Sequence, residues 1–294
     1  MKNIAVLAAF ILTLFLMMVS CTPSNQFSLG VPEIITTGYE FTEGPHWLDD
    51  GSLIFSDIPA NKVYQWRPGS AETSVFIDSS GRSNGIDGMP GGAIVLTQHD
   101  GRVSRLMENG DLEALATEYE GMRLNSPNDL AIRSDSLIYF TDPPFGVSPE
   151  DQKLSFAGVY RINNAGELTL LYDQLSLPNG IAFSPDESRL YVSDSETGDI
   201  LRFDVLENGD LSNEEIFANI GAAANNGAAD GMITDSDGRL YTTGHNGLIV
   251  FDNKGNRLAN IKFEEQITKV EWGSDEAELF ITAANAVYRV TVNK

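Results

Sequence analysis

Six polar side chains recur at one position of a repeated sequence unit: Glu43, Asn84, Asn128, Asn179, Asp230 and Lys269. Five of them stand thirteen residues before a Ser or Thr that ends an apolar run, namely Ser56, Thr97, Thr141, Thr243 and Thr282. Asn179 stands fourteen before Ser193. Brought around one axis, the two carboxylates and the amides would offer oxygen donors with little excess charge. Such a set suits a hard cation, with Ca²⁺ the natural guest and Mg²⁺ disfavoured by its tighter octahedral demand. Zinc would ask for His or Cys, and the histidines, His46, His99 and His245, form no such cluster. His99 and His245 each fall two residues past a strand hydroxyl, which sets both near one end of the unit and makes them candidates to touch a substrate. A plainer reading exists for Asn84, Asn179 and Asp230: each precedes Gly, and Asn-Gly and Asp-Gly are ordinary turn dipeptides. Glu43 does not fit that reading, because Glu is no turn former.

The elements that would position these residues are strands. Helical periodicity is nearly absent, and short β-branched and aromatic runs alternate with Gly, Asp, Asn and Pro clusters. The runs "DGSLIFSD", "GGAIVLTQ", "SDSLIYFTD", "DESRLYVSD", "SDGRLYTTG" and "DEAELFITA" align as one unit. Their hydroxyls are spaced by 41, 44, 52, 50 and 39 residues, within the range of roughly 40–50 expected of four-stranded propeller blades. The fold expected is therefore all-β, a six-bladed β-propeller of four-stranded antiparallel blades. A two-sheet sandwich would not explain the period. The segment "EIITTGYEF" is expected to join "AVYRVTVNK" in the last blade and close the ring. In a propeller the innermost strands surround the axis, so their first residues, the six polar ones above, converge at one rim. Asp142 and the prolines after it in "FTDPPFG" are expected to wall the same pocket, where the second strand of the third unit returns to that rim.

The N-terminus carries a different message. Lys2 precedes an apolar run from Ile4 to Val19, short for a membrane span and right for a signal-peptide core. Met18-Val19-Ser20-Cys21 looks like a bacterial lipoprotein cleavage box, in which Cys21 becomes the lipidated first residue. An ordinary secretory signal or an uncleaved anchor are the other readings. The expected organisation is a signal peptide over 1–20, a tether over 21–30 and the propeller over 31–294, exported and lipid-anchored in the cell envelope. The sole cysteine leaves no internal disulfide to help the exported domain. A formal net charge of −23 argues against nucleic acid and against anionic lipid, so the membrane is met only through the lipid.

With these residues in view, the chain resembles the gluconolactonase/regucalcin-like family of six-bladed propellers. The resemblance rests on "EGPHW", "NSPNDL", "FTDPPFG", "LPNGIAFSPD", "YVSDS" and "ADGMITDSDGRLY", in that order along most of the chain. It implies that Glu43, Asn179 and Asp230 bind a divalent metal, that Asn128 faces metal and substrate, and that Asp230 is the general base. The implied reaction is hydrolysis of a sugar lactone to its open acid. Asn84, Lys269, Asp142 and His245 complete the expected substrate contacts. Two positions depart from the family: Ser126 stands where animal members place an arginine, and Lys269 stands where an amide is common in the sixth unit. A lysine there would point over the cage to a substrate hydroxyl or carboxylate, or lie on the rim in solvent. Other ester or phosphotriester hydrolysis in the same cage, or a non-catalytic propeller binding carbohydrate or protein, are the competing functions.

Overall fold

A computed structural model describes residues 27–221, 229–245 and 247–294; the signal segment and Cys21 lie outside them. Six antiparallel sheets are arranged as a six-bladed propeller, and the described residues contain no helix. Each blade runs outward in chain order. Blade 1 holds Thr42–Trp47, Leu53–Asp57, Lys62–Trp66 and Thr73–Asp78; blade 3 holds Leu130–Ile132, Ile138–Asp142, Gly158–Ile162 and Leu168–Tyr172. Blades 2, 4 and 5 repeat this order from Ser83–Gly88, Pro178–Phe183 and Met232–Thr234. Blade 6 takes Ile267–Trp272, Glu278–Ala283 and Ala286–Asn293 from the C-terminus and its outer edge from the N-terminus. Glu33–Thr37 and Ser28–Leu29 both pair antiparallel with Ala286–Asn293, so the ring closes by joining the two ends of the chain.

The repeated apolar runs are second strands, sandwiched between neighbouring blades. Leu53–Asp57 and Ile138–Asp142 are buried at every position, which is why the sequence there reads as a continuous apolar run rather than an alternation. Each interface between blades has its own apolar cluster, for example Leu130, Phe140 and Tyr160 of blade 3 with Val95 and Val103 of blade 2. The seam between blades 1 and 6 is closed by Leu53 and Phe55 on Phe280 and Val287, with Trp47 stacked on Phe280 at a ring separation of 4.9 Å.

The hydroxyl that marks each unit has a structural role. Thr97 Oγ1 donates to the Asn128 carbonyl, Thr141 Oγ1 to Asn179 O at 2.7 Å, and Ser193 Oγ to Asp230 O at 2.9 Å. Each reaches from the second strand of its own blade to the backbone of the rim residue in the next. Thr243 Oγ1 does the same to Thr268 O, one residue before Lys269. Ser56 meets Ser83 Oγ at 2.8 Å, and Thr268, bonded to Thr282, passes on to Thr42 O at 2.8 Å. Buried carbonyls beside the axis lie where the sheets diverge, and these hydroxyls supply the partners that buried carbonyls require. The repeat is thus a ring of side-chain clamps, and it holds the rim residues by their backbones.

Candidate active site at the channel mouth

Local backbone irregularity aims the rim side chains inward. The pairing of first and second strands shifts register between Glu43 and His46, Ser83 and Ile86, Pro178 and Ile181, and Ile267 and Val270. In blades 3 and 5 the first strand starts only two residues after Asn128 and Asp230. A bulge re-aims a side chain out of the sheet plane, here toward the axis. Glycine then lets the six strands converge. A Cβ on Gly44, at φ +50°, would strike the Asn84 carbonyl, and one on Gly180 would strike that of Asp230.

Glu43, Asn84, Asn128, Asn179 and Asp230 line one cavity of about 330 Å³ at the channel mouth, together with His99, Gln266 and Phe145. All five are nearly buried, at 3–6 % exposure. Their polar atoms are incompletely satisfied. Among the described residues, buried Asp230 Oδ1 has no hydrogen-bond partner. Among them, too, Glu43 Oε2 accepts only the neighbouring Gly44 N–H, at 3.0 Å. Asn179 Nδ2 donates to Ser195 Oγ at 2.9 Å, which leaves its carbonyl oxygen for another partner. Burial pushes the Asp230 carboxyl up to about 7; the Asp129 charge adds to this, while Asn179, Gly231 N–H and Gln266 offset it. Burial also holds Glu43 well above the usual carboxylate range, reinforced by Asp230 and Asp129. Two buried carboxylates that repel each other, one with an orphaned oxygen, beside two amides, form a donor set that fits a hard, oxygen-liking divalent cation.

The rim is completed by groups the sequence placed less well. His99, not His245, lines the cavity; its Nε2 lies 3.1 Å from Asn84 Nδ2. Burial, with Arg82 nearby, lowers the His99 pKa to about 4. The neutral ring accepts from the Asn84 amide and so turns the Asn84 carbonyl oxygen toward the cavity. His245 is exposed in the turn after Leu240–Thr242. Gln266 is the polar group that blade 6 contributes at this mouth. Its position three residues ahead of Lys269 carried no signal, because the count back from Thr282 lands on Lys269. Phe145 comes from the long loop after Ile138–Asp142, legible as the 52-residue spacing in the third unit.

Two expected contacts are placed elsewhere. Lys269 neither reaches over the cage nor lies in solvent: it is buried, and its ammonium is paired with Asp129 further along the channel. Burial opposes the charge, but Asp129 outweighs it and keeps the lysine pKa above its usual value. Asp129 is held in turn by Leu130 N–H at 2.8 Å and Ile181 N–H at 3.2 Å. Asp142 is fully buried and is not pocket wall; its two oxygens accept Asn125 N–H at 2.9 Å and Ser126 N–H at 2.8 Å. Asp57 and Asp194, in the same register, hold Phe41 N–H and Ser176 N–H in their own blades. The "FSD", "FTD" and "VSD" endings of the second strands therefore encode loop anchors.

A family model described as the SMP-30/Gluconolactonase/LRE-like region matches residues 41–285. A gluconolactonase from Zymomonas mobilis is 32 % identical over 289 residues, covering 88 % of this chain and 80 % of the relative. A pentonolactonase from Haloferax volcanii is 23 % identical over 260 residues, covering 86 % and 85 %. Among solved structures, a gluconolactonase from Xanthomonas campestris superposes with a TM-score of 0.81 at 31 % identity, covering 89 % of each chain.

Proposed function

From a chain that belongs to the SMP-30/gluconolactonase/LRE-like family, we propose a lactonase that opens a sugar lactone to its acid with the help of a divalent cation. The observation that carries this reading is the orphaned, buried Asp230 Oδ1 at the base of a cavity near the lower end of the range for small-molecule sites, roughly 300–1,000 Å³. Glu43, Asn179 and Asp230 would hold the cation, with Asn128 beside them, and Ca²⁺ suits their all-oxygen chemistry. When bound, such an ion would supply Lewis acidity toward the lactone carbonyl oxygen, where negative charge builds as water adds. The side chains do the rest. Asn128 and Asn84 orient the sugar through amide hydrogen bonds. Asp230 accepts a proton from the attacking water and returns it to the ring oxygen as the C–O bond breaks, and its carboxyl, raised toward neutrality by burial, is suited to that exchange. Phe41 and Phe145 flank the mouth and exclude bulk water. Gluconolactonase and pentonolactonase relatives support a five- or six-carbon aldonolactone as substrate. We propose also that Cys21 is lipidated and that the propeller works outside the cytoplasm.

The test is acid release from gluconolactone and a panel of lactones and aryl esters, for wild type and Asp230→Ala, with and without chelator. Hydrolysis of at least one lactone, lost in the variant, is the expected result. A protein that releases acid from none of them is a binding module instead.

A further inference from the structure

A second cavity, of about 310 Å³, adjoins the candidate active site and shares His99 with it. One loop builds both. Residues 143–157 join the second and third strands of blade 3, where blades 1, 2 and 4 use three or four residues. Phe145 lines the active-site cavity, while Gly146, Ser148, Asp151 and Lys153 line its neighbour. The loop is anchored: Leu154 is 1 % exposed in the core between blades 2 and 3, and Asn125 Nδ2 bonds Phe156 O at 3.0 Å.

The lining of this cavity is cationic, in a chain with a net charge of −23. Arg82 is paired with Asp100 at 2.8 Å. Arg123 and Lys153 form no ion pair among the described residues, although the Arg123 charge acts on buried Asp142. Lys153 Nζ donates only to the Glu150 carbonyl, at 2.9 Å. Arg123 Nη1 donates to Leu124 O and Asn125 O, both at 2.9 Å, which leaves Nε and Nη2 without a partner among the described residues. Its guanidinium packs closely over Gly101, where a Cβ would approach Cζ to 2.5 Å. The single acid on the wall, Asp151, is engaged by Ser148 Oγ at 2.9 Å. A guanidinium fixed by backbone carbonyls, with free donors and a lysine ammonium on the facing loop, is the arrangement that binds carboxylate or phosphate.

We propose that this cavity receives an anionic group on the substrate's end remote from the lactone carbonyl, so that lactones of sugar acids bearing a second carboxylate or a phosphate are preferred. The inference rests on the lactonase reading for its substrate class, but not for the binding of the anion. His99 forms the shared wall, so a sugar bound over Asn84 and Asn128 would lie beside Arg123 and Lys153.

The test compares kcat/KM for neutral gluconolactone, glucaric acid lactone and 6-phosphogluconolactone at low salt and in 0.5 M salt. Wild type should favour at least one charged lactone by about tenfold or more. That ratio should collapse in Arg123→Gln and Lys153→Gln, fall less in Arg123→Lys, and shrink in high salt. Preference for the phosphate or the carboxylate assigns the anion; equal or lower kcat/KM for both charged lactones overturns the proposal. Calorimetric titration with 6-phosphogluconate, glucarate and gluconate reads the same cavity without turnover. At least one dianion should bind more tightly than gluconate in wild type and lose that advantage in Lys153→Gln. Equal affinities overturn the inference even where lactone hydrolysis is intact, and failure of hydrolysis with selective dianion binding overturns only the lactonase reading.

Discussion

The mouth of the channel and the stretch just beyond it are built from the same six strands, yet their polar groups are treated in opposite ways. Beyond the mouth, Asp129 is answered by Lys269 and by two backbone N–H groups. At the mouth, Glu43 and Asp230 repel each other, neither forms an ion pair among the described residues, Lys269 acts on Glu43 only as the weakest of its influences, and Asp230 Oδ1 has no partner among those residues. A buried charge that is paired can serve architecture, whereas a buried charge left unpaired costs stability and calls for a ligand. Lys269 therefore marks the boundary between support and site.

The sharpest way to break this contrast is kinetic. Asp230→Asn should lower lactone kcat/KM by roughly 10²–10⁴, the range for losing a general base. The same variant, chelated and at pH 8, should unfold with more difficulty than wild type, by on the order of 1–3 kcal/mol, because a buried charge that repels Glu43 is replaced by a neutral amide. Denaturant unfolding checks this, and a destabilised Asp230→Asn would place the carboxylate among the structural groups. Lys269→Met is the mirror case. It strands Asp129 and should cost about 3–5 kcal/mol of stability, read from the shift in denaturant midpoint.

The pH dependence follows from the raised carboxyls. Burial puts Asp230 at about 7, Asp142 at about 7 and Glu271, with the repelling Asp87 nearby, at about 8. Unfolded carboxylates titrate near ~4, so between these values the three carboxyls hold more protons folded than unfolded and outnumber the lowered histidines, His99 and His46, that oppose them. Stability must then fall as pH rises from about 4 through about 8 and level off above. Melting temperatures of the chelated protein across that range check the sign. Divalent cation should flatten the part of the slope that Glu43 and Asp230 contribute.

Much of this was written in the sequence, for a physical reason. The blade repeat is legible because the second strands are buried on both faces and carry a hydroxyl near their end that clamps the next blade directly, as Thr141 does on Asn179 O, or in blade 6 through Thr268. The rim followed from that register, and Glu43, Asn84, Asn128, Asn179 and Asp230 share one cavity. The failures share a cause as well. Register fixes where a backbone stands but not where a long side chain points, so Lys269 was placed at the mouth although its ammonium turns to Asp129. Asp142 was taken for pocket wall because its role, capping backbone N–H groups seventeen and sixteen residues earlier, leaves no periodic trace. His99 and His245 are indistinguishable by register; only the surrounding blade half-buries one and exposes the other.

Smaller effects refine the comparison. Thr141→Val removes the clamp on the Asn179 carbonyl and should cost about 1–3 kcal/mol, with a loss of cation affinity measurable by calorimetry. His245→Ala, away from the cavity, should change kcat/KM by no more than about twofold, as expected of exposed substitutions. A tenfold loss there would move the site toward blade 5.

The most direct test of the central claim is the rate of gluconolactone opening in a pH-stat, using chelated protein with Ca²⁺ added back, for wild type and Glu43→Gln in parallel. The expected result is a wild-type rate that rises from background to saturation with the ion, and a Glu43→Gln rate that stays near background at the same concentrations. A chelated wild type that turns over as fast as the reloaded enzyme would contradict the claim that the open mouth is a cation-assisted lactonase site.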